Sequence, residues 1–306
     1  MTLLSVIIAL VLEQLRPLAV KTWVNTPLTR FADFLETRFN DGQQRHGTIA
    51  WLLAVAVPAI MAGALYGVLY WLHPIAALMF AVGVLYLTMG FRQFSHHFSE
   101  LHLALRMGEM DQARRIMAEW RGRSGDSLSS SEIARLAIEQ ALVASHRYVF
   151  APLFWFFVLG PAGALLYRLS VFFNTQWGER SDREFGRFGE FSRRVFAMID
   201  WLPVRITASA FAIVGDFEDA VLCWRTQAAR WSDPAAGILL AGGAGALGVR
   251  LGMPLREGID IDDRPELGLG EDADADFMQS AIGLVWRALV LSLLLLALLW
   301  IASWAG

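Results

Sequence analysis

The stretch Ala288 to Ala305, led by LVLSLLLLALLW, holds no charged side chain. Ile49 to Leu72 and Ile75 to Phe91 are equally free of charge. Crossing the hydrocarbon core of a bilayer takes about 20 largely apolar residues in a helix. Backbone N–H and C=O groups find no water there, so such runs must satisfy their own hydrogen bonds as helices. These three runs predict an all-α, polytopic membrane protein.

Composition agrees. The chain of 306 residues is 56% hydrophobic and only 18% charged, against about 25% charged in soluble domains. A net charge of −3 gives no basic field for nucleic acid, so none is expected as a partner. The single cysteine, Cys223, can form neither an internal disulfide nor a cysteine metal cluster. No small-residue cleavage site follows MTLLSVIIALVL, which is therefore not read as a removed signal peptide.

His73–Pro74 joins the first two clear spans with almost no polar residue, which predicts a tight hairpin. The chain before the hairpin carries Arg16, Lys21, Arg30, Arg38 and Arg45, and the segment 92–147 after it carries eight arginines. The positive-inside rule places both on the cytoplasmic side. The segment from Arg168 to Arg194 is again rich in arginine. A single crossing by Tyr148 to Tyr167 would put it outside, against that rule. The LGPAG at the centre of this stretch favours a re-entrant or broken helix, with a single span as the alternative. Phe196 to Gly215 and Ala235 to Gly252 are also apolar but interrupted. Met1 to Leu12 is short for a span.

Within 92–147, Phe94, Phe98, Leu101, Leu105, Ile116 and Trp120 recur at helical spacing, and RMGEMD reads as a turn. This predicts a cytoplasmic helical insert, followed by the loop RGRSGDSLSSS. A further helix, EIARLAIEQALVAS, then begins with Ser131 as N-cap. Residues 254–280 form an acidic stretch with no apolar periodicity, read as a solvated loop. It lacks the glycine and terminal glutamate of an EF-hand.

His96, His97 and His102 beside Glu100 suit an amphipathic helix surface better than zinc, and no metal site is assigned. LAGGAGALGVRLG has no Walker lysine, and its small residues suit close helix packing. Asp200 and Arg205 flank Pro203 within an apolar run. Ionisable groups at such depth are costly and call for a partner or a cavity. They form a pair at a broken helix, or Arg205 snorkels to the interface.

Several segments resemble, in order, the CbiB/CobD superfamily of cobalamin-synthesis membrane proteins and its AmpE branch. They are HHFSELHLALRMGEMDQARRIM, APLFWFFVLGPAGALLYR, FGRFGEFSRRVFAMIDWLPVRITA, AGGAGALGVRLG and RPELGLG. The resemblance makes Glu139, Arg168, Asp200, Arg205 and Arg264 candidate ligand-binding residues; no catalytic residue is assigned. It implies a single membrane domain over residues 1–306, multi-pass in a bacterial inner membrane. The partners it implies are the lipid bilayer, a corrinoid or cell-wall-related ligand, and a membrane partner protein.

Two functions follow from the resemblance. One is an AmpE-like regulatory or binding role, of the kind linked to β-lactamase induction. The alternative is a divergent adenosylcobinamide-phosphate synthase, which joins an aminopropanol-type amine to a corrin carboxylate with ATP and magnesium. Val143, Ala144, Arg147, Val171, Phe172, Asn174, Phe196 and Ala197 stand where the synthase pattern is acidic or otherwise polar. Apolar side chains cannot hold a metal or move a proton. The regulatory reading is therefore expected first, with no cofactor; ATP and magnesium enter only with the synthase reading.

Overall fold

The computed structural model describes residues 2–15, 24–122, 128–180, 185–257 and 260–305. Arg16, Lys21, Arg183 and the centre of the RGRSGDSLSSS loop lie outside the described residues. The helices are α1 (Thr2–Leu15), α2 (Thr26–Phe39), α3 (Gln44–Leu72), α4 (Pro74–Thr88), α5 (Phe91–Met107) and α6 (Met110–Arg121). They continue as α7 (Ser130–Leu159), α8 (Pro161–Phe173), α9 (Glu190–Val214), α10 (Phe217–Gln227) and α11 (Pro234–Leu247). Strands β1 (Val249–Gly252), β2 (Leu255–Glu257), β3 (Asp260–Asp262), β4 (Glu266–Leu267) and β5 (Glu271–Asp272) follow, and α12 (Ala275–Ala305) ends the chain.

Among the described residues, α3, α7, α9 and α12 are long and apolar enough to cross a membrane. Their outer faces are apolar: Ile60, Met61, Trp71 and Leu72 on α3, and Leu294, Leu295, Leu298 and Leu299 on α12, are all exposed. An apolar surface of that extent suits contact with lipid, not water.

The chain divides into two compact units. The first comprises Met1–Arg92 and Arg147–Pro203. Here α3 and α4 pack together across the single extended residue His73, as the hairpin reading expects. Helix α1 packs on α4, and α8 packs on both α3 and α4. The core is aromatic: Trp177 lies 4.5 Å from Phe173 and 5.3 Å from Phe188, ring centre to ring centre. Trp51, Leu35 and Phe185 complete it. Edge-to-face contacts between such rings add about 0.5–1.5 kcal/mol each beyond area burial.

The LGPAG break is real. Gly160 takes φ 63° and ψ −149°, a region open to glycine alone. Pro161 then starts α8 at a first-turn position, where its missing N–H costs nothing. The chain folds back so tightly that a Cβ on Gly163 would lie 2.1 Å from the Trp155 carbonyl oxygen.

The second unit comprises Gln93–His146 and Val204–Gly306. Its helices α10 and α11 pack closely, and α11 and α12 pack on the first half of α7. The small residues of α11 form the packing face. A Cβ on Gly245 would meet the Asp219 carbonyl oxygen at 2.4 Å, and one on Gly243 would meet Leu142 at 2.7 Å.

Three expectations need correction. The N-cap of α7 is Ser129, not Ser131: Ser129 and Glu132 form a capping box, which needs that three-residue spacing. The helix does not stop at Ser145 but runs on through a π turn, His146–Phe150, to Leu159. The acidic stretch is not all solvated loop. Strand β1 pairs antiparallel with β4 and parallel with β5, while β2 and β3 pair antiparallel. Strands of two to four residues are too short for alternation to register, and Leu251, Leu255 and Leu267 anchor them by complete burial.

Cys223 is fully buried, and burial pushes its thiol above the ordinary range. An Arg187→Cys variant therefore places the only readily labelled thiol in an exposed position. If the broken hairpin returns to the side it left, a membrane-impermeant maleimide labels this thiol in inside-out vesicles and not in intact spheroplasts. The reverse pattern means a complete crossing.

Candidate functional site

The five candidate residues fall into separate places. In the second unit, Glu139 and Arg264 come together although 125 positions apart. Glu139 sits midway along α7, and Arg264 lies between β3 and β4. Arg264 Nη1 donates to Glu139 Oε2 at 2.8 Å, and the Gly252 N–H donates to Oε1 at 2.8 Å. The same guanidinium donates to the carbonyls of Gly252 at 3.0 Å and Met253 at 3.3 Å. Its plane lies over Trp231, 5.5 Å from the ring centre.

This arrangement is a clamp. Gly252 has φ 71°, and a Cβ there would lie 2.0 Å from the Pro265 carbonyl oxygen. Met253 follows at φ 64°, a left-handed position that costs a non-glycine residue about 1–3 kcal/mol. The Glu139–Arg264 pair holds both turns down from two sides. Arg135, one helical turn before Glu139, is buried within the same field, and its Nε has no hydrogen-bond partner.

In the first unit, Asp200 is buried on α9 and accepts a 2.8 Å hydrogen bond from the Tyr167 hydroxyl. Pro203 has no N–H, so the carbonyl of Ile199 loses its helical donor. Trp155 Nε1 donates to that carbonyl at 3.3 Å. The helix breaker is thus repaired by a tryptophan across the LGPAG hairpin. Arg205 is half-buried on the same helix, in the second unit. Elsewhere in the second unit, His146 Nδ1 and Thr207 Oγ1 are 2.9 Å apart and buried.

Arg168 lies on α8, 7% exposed, with its guanidinium 4.6 Å from the centre of the Tyr148 ring. It makes no ion pair with Asp200 or with any other described carboxylate. It lines a cavity of about 480 Å³ together with Asn25, Thr26, Thr29, Arg30, Tyr148, Val171, Phe172, Thr175 and Gln176. Sequence reasoning missed Arg30, Tyr148 and Asn25, because only folding brings α2 beside α8. It also missed Tyr167 and Trp155, although a buried acid and an unpaired carbonyl on α9 were a signal to look for donors.

Val171 and Phe196, at polar positions of the synthase pattern, offer no oxygen to a magnesium ion. Val171 and Phe196 pack with Ala151 and Tyr167 in one apolar cluster, backed by Trp155 and Ile199. Among the described residues, no group of three or more His, Cys, Asp or Glu is placed to hold a metal ion. His96 pairs with Glu100 at 3.4 Å on an exposed face.

Glu139→Ala removes the acid that faces buried Arg135 and half-buried Arg264. Breaking a buried pair costs about 3–5 kcal/mol, so the detergent-solubilised protein should unfold at a clearly lower temperature. Glu139→Gln, which keeps an acceptor for the Gly252 N–H, should lose less. An unchanged midpoint in Glu139→Ala would show that the clamp does not hold this unit.

Residues 6–285 match the family described as CobD/Cbib protein. A "Cobalamin biosynthesis protein CobD" of Stutzerimonas stutzeri is 37% identical over 297 residues, 96% of each chain. One of Chromobacterium violaceum is 37% identical over 216 residues, covering 71% of this chain and 69% of the relative. One of Leptospira interrogans is 27% identical over 241 residues, covering 77% and 75%. No solved structure matches. With a match across nearly its whole length and buried polar contacts built from the segments that carry the resemblance, the chain belongs to the CobD/CbiB family.

Proposed function

We propose that this protein serves cobalamin biosynthesis in the bacterial inner membrane, as a divergent member of the adenosylcobinamide-phosphate synthase type. The observation that carries the reading is the match to the Stutzerimonas stutzeri relative, which spans 96% of both chains and bears a biosynthetic name. The sequence alone favours an AmpE-like regulator; the three relatives named above carry a biosynthetic name, which favours the biosynthetic alternative. The ligand class is a corrinoid with an acceptor carboxylate, and the product bond is an amide.

A second reading has one specific observation behind it. Val171 and Phe196 stand where the synthase pattern is polar, and they form an apolar cluster beside the Tyr167–Asp200 hydrogen bond. A protein with that centre binds the family's ligand without joining it to an amine. The buried polar groups that remain then serve recognition and fold.

Complementation separates the two. Expressed in a synthase-null strain fed cobyric acid, this chain should restore cobalamin-dependent growth under the biosynthetic reading. Absence of growth, with the protein present in the membrane by immunoblot, would leave the binding-only reading. Changing Phe196 and Ala197 together to aspartate would then test whether the lost acids are the reason.

A further inference from the structure

We propose that the outer face of α2 rests on the membrane surface, with Phe31 and Phe34 below the headgroups of an anionic leaflet and Arg30 and Arg38 at the level of the headgroups. The inference concerns a surface that the biosynthetic reading does not use, and it stands whichever function the protein has.

Helix α2 has three faces. Leu28, Ala32, Leu35 and Phe39 follow at i, i+4, i+7 and i+11 and pack into the aromatic core of the first unit. Thr26, Thr29, Asp33, Glu36 and Thr37 share a polar face, on which Glu36 meets Arg180 at 3.0 Å. Pro27, Arg30, Phe31, Phe34 and Arg38 follow at i, i+3, i+4, i+7 and i+11 and form the third face, where all five are exposed. A helix in contact with water alone carries polar residues over the whole of its outer side. Here two phenylalanines occupy part of it, and Phe34 is 61% exposed.

The core face fixes the depth of the helix. Ala32 and Leu35 are buried in one cluster with Ala50, Trp51, Ala54 and Val55 of α3. Those four residues belong to the charge-free run 49–72. Only residues 40–43 separate α2 from α3. The start of α3 at Gln44 is five helical residues from Ile49, about 7.5 Å at the usual rise. Helix α2 therefore cannot stand off in water, because it is packed on the turns of α3 that enter the hydrocarbon. Aromatic residues on an amphipathic helix at that level belong in the headgroup and upper acyl region.

The charge of the third face names the kind of lipid. It carries two arginines and no acid. Among the described residues, no carboxylate forms a salt bridge with Arg30 or Arg38. Long cationic side chains beside apolar ones lay their stems along the apolar surface and hold the charge among headgroups. The positive-inside rule puts this segment on the cytoplasmic side, where the leaflet carries anionic lipids. A single layer of such lipid covers the rings and answers both cations.

The test uses the full chain in nanodiscs. A nitroxide is attached at Phe34→Cys or, for comparison, at Asp33→Cys on the polar face; the buried thiol of Cys223 should stay unlabelled. Collision of each nitroxide with oxygen, which concentrates in lipid, is compared with collision with a water-soluble nickel chelate. The oxygen-to-nickel ratio should be several-fold higher at residue 34 than at residue 33. Adding phosphatidylglycerol to phosphatidylcholine discs should raise the ratio at residue 34 further, and Arg38→Gln should remove most of that rise. Arg38 lies outside the cavity wall, so this change leaves the cavity intact. Phe31→Cys keeps the test open if a label at residue 34 disturbs folding. Equal ratios at residues 33 and 34 would overturn the proposal by placing the face in water. Dipolar broadening between labels of two copies, with both reagents shut out, would overturn it by placing the face under a second chain. A ratio at residue 34 that ignores phosphatidylglycerol, or responds equally in Arg38→Gln, would overturn the anionic preference.

Discussion

A carboxylate shut away from water has to be answered by a cation or by several N–H donors, or the fold that buries it will not form. Glu139 is that carboxylate here. It sits in the middle of α7, and its answer comes from Arg264 and the Gly252 N–H on a segment more than a hundred residues later. Around this contact β1 turns sharply, Met253 is held at a positive φ, and the short sheet closes against α11. The long helix, the sheet and the acidic segment of the second unit therefore depend on one pair of side chains.

The same rule organises the first unit. Asp200 accepts a hydrogen bond from a tyrosine hydroxyl, and the carbonyl that Pro203 leaves without a helical donor takes an indole N–H. Both donors come from the two arms of the LGPAG hairpin. Breaking the helix at Gly160 thus has a structural use: it brings Trp155 and Tyr167 back to α9. Arg168 is the exception. It is a buried cation with an aromatic face below it and open space beside it.

These observations bear on what the chain has kept of its family. The clamp joins two segments that carry the resemblance and leaves few of its polar atoms free for a ligand. The polar positions expected around Val171 and Phe196 have become packing. A fold can survive such exchange because an apolar cluster needs no partner atoms, while a half-emptied acidic centre would leave buried groups unsatisfied.

Helix positions were legible in the sequence because lipid-compatible runs, turn prolines and glycines act locally. Ile49–Leu72, the His73–Pro74 joint and the Gly160–Pro161 break are all of this kind. The start of α7 was misplaced by two residues, since several serines compete and only the spacing to Glu132 decides among them. The strands of the acidic segment could not be read, because two-residue strands exist only through the partners that pair with them. Of the candidate residues, Glu139, Arg168 and Asp200 are buried and Arg205 and Arg264 half-buried, and no local pattern named the groups they meet. The sequence alone settled that charges lie inside apolar runs and must be compensated. Only the tertiary structure decided that Glu139 meets Arg264, that Asp200 meets Tyr167, and that Arg168 faces a cavity, because each contact joins helices or turns whose proximity no local pattern encodes.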